Sequence, residues 1–112
     1  MNNKSHEGSI FVICNYRPKP GKDKELLEIV KEHVPILRRL GLATDRTVHI
    51  MKAADGSIVE VFEWVSQKAI DDAHKNPEVL EMWKKFEAAC TYENLSGLAE
   101  ANHLFPDFEP VN

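Results

Sequence analysis

Residues 58–83 read IVEVFEWVSQKAIDDAHKNPEVLEMW, and this stretch decides the fold. From Ile58 to Val65 the residues are mainly β-branched and aromatic, bounded by turn residues, which predicts a strand. Its pleat puts Glu60, Phe62 and Trp64 on one face and Val59, Val61, Glu63 and Val65 on the other. Ser66 supplies an N-terminal cap for a short helix running to about Lys75. Asn76-Pro77 then starts a second helix: a capping side chain is followed by a proline where no amide hydrogen is required. Val79, Trp83, Phe86 and Cys90 recur at helical spacing and line one face of it.

Upstream, Arg46–Lys52 reads as another strand, joined to the first stretch through Ala54-Asp55-Gly56, a strong hairpin signal. Before it, Leu26, Leu27, Ile29, Val30, Val34, Leu37 and Leu40 mark an amphipathic helix over Lys22–Leu40, stopped by Gly41. Pro35 predicts a kink within one continuous element. Ile10–Tyr16 is an apolar run between Gly8-Ser9 and Pro18-Lys19-Pro20-Gly21, the pattern of a central strand and a stiff turn. Downstream, Thr91–Leu95 forms a short last strand, and Ser96-Gly97 is placed to open a further short helix. The expected organisation is a disordered leader over 1–9, one domain over 10–104 and a C-terminal tail over 105–112.

The order strand, helix, strand, strand, helix, strand predicts an α+β, ferredoxin-like βαββαβ plan: a four-stranded antiparallel sheet with helices on one face. The strands are apolar on both pleat faces, so the helix-free face also calls for cover. A symmetric homodimer through that face is one solution; a C-terminal tail folded over it is the other.

At 112 residues the chain supports one core. A net charge of −4 argues against a nucleic-acid partner, and the basic pairs Arg38-Arg39 and Lys84-Lys85 read as solvated helix faces. No apolar run reaches the ~20 residues that span a bilayer. The polar N-terminus lacks the apolar core of a signal peptide, which points to the cytoplasm. Cys14 and Cys90 make no disulfide framework and read as small buried hydrophobes.

Taken together, Tyr16-Arg-Pro-Lys-Pro-Gly21, Leu37-Arg-Arg-Leu-Gly41, Val61-Phe-Glu-Trp-Val-Ser66 and Ala73-His-Lys-Asn-Pro-Glu-Val79 resemble the dimeric α+β-barrel superfamily, nearest its antibiotic-biosynthesis-monooxygenase-like group. The resemblance covers roughly residues 10–95. It implies two sheets packed face to face across a dimer, with a ligand pocket between sheet and helices in each protomer. Relatives include oxygenases that act on aromatic phenols without a cofactor, haem-degrading enzymes, isomerases, cyclases and dechlorinases, so fold constrains reaction weakly. The haem-degrading branch uses an Asn on the first strand, then a Trp and a His on the later helices. Asn15 matches, but the Trp position falls at Ala73 and the His position at Trp83, so that branch is disfavoured.

The leading expectation is a cofactor-independent monooxygenase acting on a small aromatic or enolic metabolite. A non-catalytic small-molecule-binding dimer and an isomerase or cyclase on the same scaffold are the alternatives. The candidate base is His74, since imidazole ordinarily titrates in the range that suits proton transfer, or Glu60, a carboxylate among aromatic neighbours. Helix capping for His74, and an ion pair with a neighbouring Lys or Arg for Glu60, are the plainer readings. Asn15 interrupts an apolar strand and must be hydrogen-bonded, to a neighbouring element or to a ligand, where it would hold an oxyanion. Trp64, Trp83 and Phe62 are candidate pocket walls; His49, with Thr47 and Met51, reaches either the pocket or its rim. His33, at the border of the first helix's stripe, reads as a structural histidine. No spacing of His, Cys, Asp or Glu matches a metal motif, and no cofactor is expected.

Overall fold

The computed structural model describes residues 8–112, so all of the expected leader except Gly8 and Ser9 lies outside the described residues. The elements are β1 (Ile10–Pro18), α1 (Asp23–Arg39), β2 (His49–Lys52), β3 (Ile58–Trp64), α2 (Gln67–Ala73), α3 (Pro77–Ala89), β4 (Cys90–Glu93), two short 3-10 turns and β5 (Glu109–Pro110). All strand pairings are antiparallel, in the order β4-β1-β3-β2-β5. Among the described residues the sheet therefore has five strands, not the four read from the sequence. The fifth is a two-residue edge strand ending in proline, too short to show a period and able to sit only where no central ladder bond is needed. It is held by Val111 N–H donating to Ile50 O (2.8 Å) and by the Asn112 side chain, which accepts from Ile50 N and donates to Val48 O.

The local signals act as their chemistry dictates. Asn76 Oδ1 accepts from the amides of Glu78 and Val79, and Ser66 Oγ accepts from Ala69 N, so both helix starts are capped. α1 runs unbroken through Pro35. The β2–β3 turn closes with Ala53 N–H donating to Ser57 O, and Gly56 at φ +92° takes the left-handed conformation that glycine adopts without strain.

α1 and α3 pack on one sheet face, burying Leu26, Val30, Val34 and Leu37 with Val79, Met82 and Phe86 against Tyr16, Phe62 and Trp64. On the other face the 3-10 segment lays Leu98 over Val59 and Ala53, with Met51 and Phe108 beside them. That cover is partial: Phe11 and Ile13 stay 58% and 51% exposed. Among the described residues, no helix is long and apolar enough to cross a membrane.

Candidate functional site

β4 pairs with β1 only along Asn15–Pro18, so among the described residues the β1 edge from Ile10 to Cys14 on that side has no strand beside it. A cavity of about 280 Å³ lies there, between β1 and the helices. Val12, Cys14, Asn15 and Tyr16 of β1, Phe62 and Trp64 of β3, His33 of α1, Trp83 of α3 and Tyr92 of β4 line it. Its size and largely aromatic wall suit a small planar molecule.

Glu60 lies fully buried beside this wall. Its Oε1 accepts from Tyr16 Oη at 2.7 Å and meets His33 Nδ1 at 2.8 Å. Burial, then the negative charge of Glu60, holds the Tyr16 hydroxyl well above the ordinary phenol pKa, so Tyr16 remains a donor. With Glu60 ionised, the carboxylate only accepts; Nδ1 must then carry the hydrogen, and Nε2 bears the lone pair. The His33 ring is clamped edge-on by Phe62 (centroids 5.2 Å apart) and Phe86 (5.0 Å).

Three buried polar atoms have no hydrogen-bond partner among the described residues: His33 Nε2, Asn15 Oδ1 and Glu60 Oε2. Two of them belong to side chains lining the cavity. The Asn15 amide is oriented by Asn94, whose carbonyl accepts from Nδ2 at 3.1 Å, so the free end is an acceptor. Buried polar groups are ordinarily satisfied, and two orphaned side chains in one cavity wall make it a candidate place for a ligand.

Of the residues singled out from sequence, Asn15, Phe62, Trp64 and Trp83 meet at the cavity, with Glu60 bonded to two of its lining side chains. The bonded partners of Glu60 are a histidine and a tyrosine, where a Lys or Arg was the alternative; Arg46 pairs instead with Glu63 on the opposite face (2.9 Å). His74 is exposed, its Nδ1 bonded to Ile70 O at 2.8 Å at the end of its own helix. It reaches the site only through Trp83, with ring centroids 5.1 Å apart. His49 lies on the helix-free side, in a shallow groove with Phe11, Arg46 and Val61.

His33, Tyr16 and Tyr92 were not among the candidates. A signal for His33 existed: at i+3 from Val30 and i+4 from Ile29 it sits in the apolar stripe of α1, where an imidazole needs a buried partner. What that partner was, the stripe does not say. Cys14, also at the cavity, is pushed up to about 11 by burial and stays a thiol, a poor nucleophile.

Among solved structures, the chain is similar to SnoaB, a cofactor-independent oxygenase from Streptomyces nogalater, with a TM-score of 0.64 at 16% identity, covering 77% of this chain and 87% of that one. A mutant of SnoaB aligns with a TM-score of 0.64 at 19% identity, over 89% of this chain and 99% of that one. Rv0793 from Mycobacterium tuberculosis aligns with a TM-score of 0.60 at 20% identity, over 74% and 84%. No protein-family model matches the sequence, and no curated protein matches it. The likeness establishes the fold alone: the chain shares the α+β architecture, an antiparallel sheet with helices packed on one face, of these structures.

Proposed function

We propose that this protein is a cofactor-independent oxygenase acting on a small aromatic or enolic metabolite. The observation that carries this reading is a largely aromatic cavity whose only unpartnered buried atoms, among the described residues, are acceptors able to take protons or hydrogen bonds from a substrate. Support also comes from the shared fold with an oxygenase that needs no cofactor.

In this reaction a proton leaves an acidic methylene or a phenolic hydroxyl, and the electron pair stays on the substrate as an enolate or phenolate. The enolate reduces dioxygen and the two combine as a peroxide. Loss of the remaining C–H proton then breaks the O–O bond. In sum, a methylene and one dioxygen give a carbonyl and one water. The substrate supplies all four electrons, so no external reductant is required. Trp64, Trp83 and Phe62 exclude water from the enolate. Asn15 orients the substrate by accepting from a hydroxyl or N–H at Oδ1, because its Nδ2 end is turned to Asn94. The exposed Phe11 and Ile13 support a homodimer through the helix-free sheet face, and a cytoplasmic setting suits a small-molecule enzyme of this kind.

The test is dioxygen uptake with a panel of enolisable bicyclic ketones and dihydroxynaphthalenes, with oxygen-18 traced into product. One labelled oxygen per product molecule is expected. Binding across the panel without uptake would reduce the protein to a binding module or an isomerase.

A further inference from the structure

We propose that His33 is the catalytic base of this site, and that Glu60 and Tyr16 are positioning residues that hold it in the proton-accepting form. The assignment rests on reading the cavity as a place of proton removal.

His33 is only 4% exposed, in the buried apolar stripe of α1. A histidine serving packing alone would have both ring nitrogens satisfied or one in water. Here one nitrogen is bonded to a fully buried carboxylate, and the other, on a ring lining the cavity, has no partner. Glu60 therefore selects the tautomer, and the lone pair falls on Nε2. Tyr16 donates to the same carboxylate oxygen, which pins Glu60 against rotation. Phe62 and Phe86 fix the plane of the ring.

The step is a single proton transfer. A substrate C–H bond breaks, its electron pair remains as the enolate, and a new N–H bond forms at His33 Nε2. The imidazolium that results lies 2.8 Å from the Glu60 carboxylate, which stabilises it as the buried aspartate does in a serine-protease triad. No cofactor or oxidant enters this step, so it stands apart from the later reaction with dioxygen.

Two measurements test it. Long-range proton–nitrogen correlation spectra of the native protein, labelled with nitrogen-15 histidine, report the His33 tautomer with no substrate and no variant. Protonated Nδ1 with a pyridine-type Nε2 is expected; protonated Nε2 overturns the proposal. In the second, 2-tetralone is supplied anaerobically in deuterium oxide, and exchange at its acidic methylene is followed by NMR while Trp fluorescence reports binding. His33→Gln should still bind and lose exchange by about 100-fold or more. Glu60→Gln, which keeps the accepting oxygen but not the charge that stabilises the imidazolium, should keep the tautomer and still lose exchange by about tenfold or more. Tyr16→Phe should keep the tautomer and lose less. A folded, binding His33→Gln protein that exchanges at the native rate overturns the assignment. Native exchange without dioxygen uptake in air would sink the oxygenase reading and leave His33 as the base.

Discussion

His33 of α1 and Glu60 of β3, 27 positions apart in the chain, meet at 2.8 Å in the interior, with the carboxylate oxygen shared by the Tyr16 hydroxyl. Removing the carboxylate would leave two buried donors unsatisfied and a hole where the side chain was. Glu60→Ala should therefore cost about 3–5 kcal/mol in urea unfolding. Glu60→Gln, which keeps one accepting oxygen, should cost clearly less. Equal costs for the two variants would mean that the carboxylate charge, which both remove, and not the side-chain volume holds this site.

Cys14 sets a pH dependence of stability. Its folded pKa, raised by burial from 9.0 to about 11, means the folded state keeps a proton that the unfolded chain releases first. The stabilisation is complete below about pH 9 and is lost as pH rises through 11. Tyr16, also raised, acts with the same sign and extends the loss above pH 10. Chemical unfolding at pH 8 and pH 11 should differ by about 2 kcal/mol from Cys14 alone. Cys14→Ala should reduce the slope between these values to the part set by Cys90, likewise pushed up to about 11 by burial, and by Tyr16; an unchanged slope would remove Cys14 as a source.

Trp83 and His74 separate the wall of the site from its surroundings. Trp83→Ala opens the cavity and should weaken 2-tetralone binding by about tenfold or more, at roughly 1.5–3 kcal/mol for a lost aromatic wall. His74→Ala removes one edge contact on Trp83 and should cost only about 0.5–1 kcal/mol of stability. Proton exchange in His74→Ala should stay near the native rate. A collapse of exchange in that variant would return the base to His74.

The helix-free face offers the last test. Leu98 and Phe108 cover one part, while Phe11 and Ile13 lie open. Sedimentation at micromolar concentration should give a homodimer, and Phe11→Glu with Ile13→Glu should give a folded monomer. A native monomer over the whole concentration range would refute the face-to-face assembly.

Local chemistry alone determined most of the elements. Capping at Ser66 and Asn76, the Asp55-Gly56 turn and the period of two in β3 act over a few residues, so they are readable without the fold. The same period assigned Glu60 to the face of Phe62 and Trp64, where it is found. β5 escaped notice because a two-residue strand gains its place from β2 and not from its own pattern. The histidine of the site was decided only in three dimensions. An imidazole in an apolar stripe is structural or catalytic according to what faces each nitrogen. For His33 that is set by packing α1 on the sheet, which brings Glu60 to Nδ1, leaves Nε2 without a partner among the described residues and places the residue in the cavity wall. His74, conspicuous beside Asn76-Pro77, bonds Ile70 O at the end of its own helix, the local capping that the sequence already offered as the plainer reading.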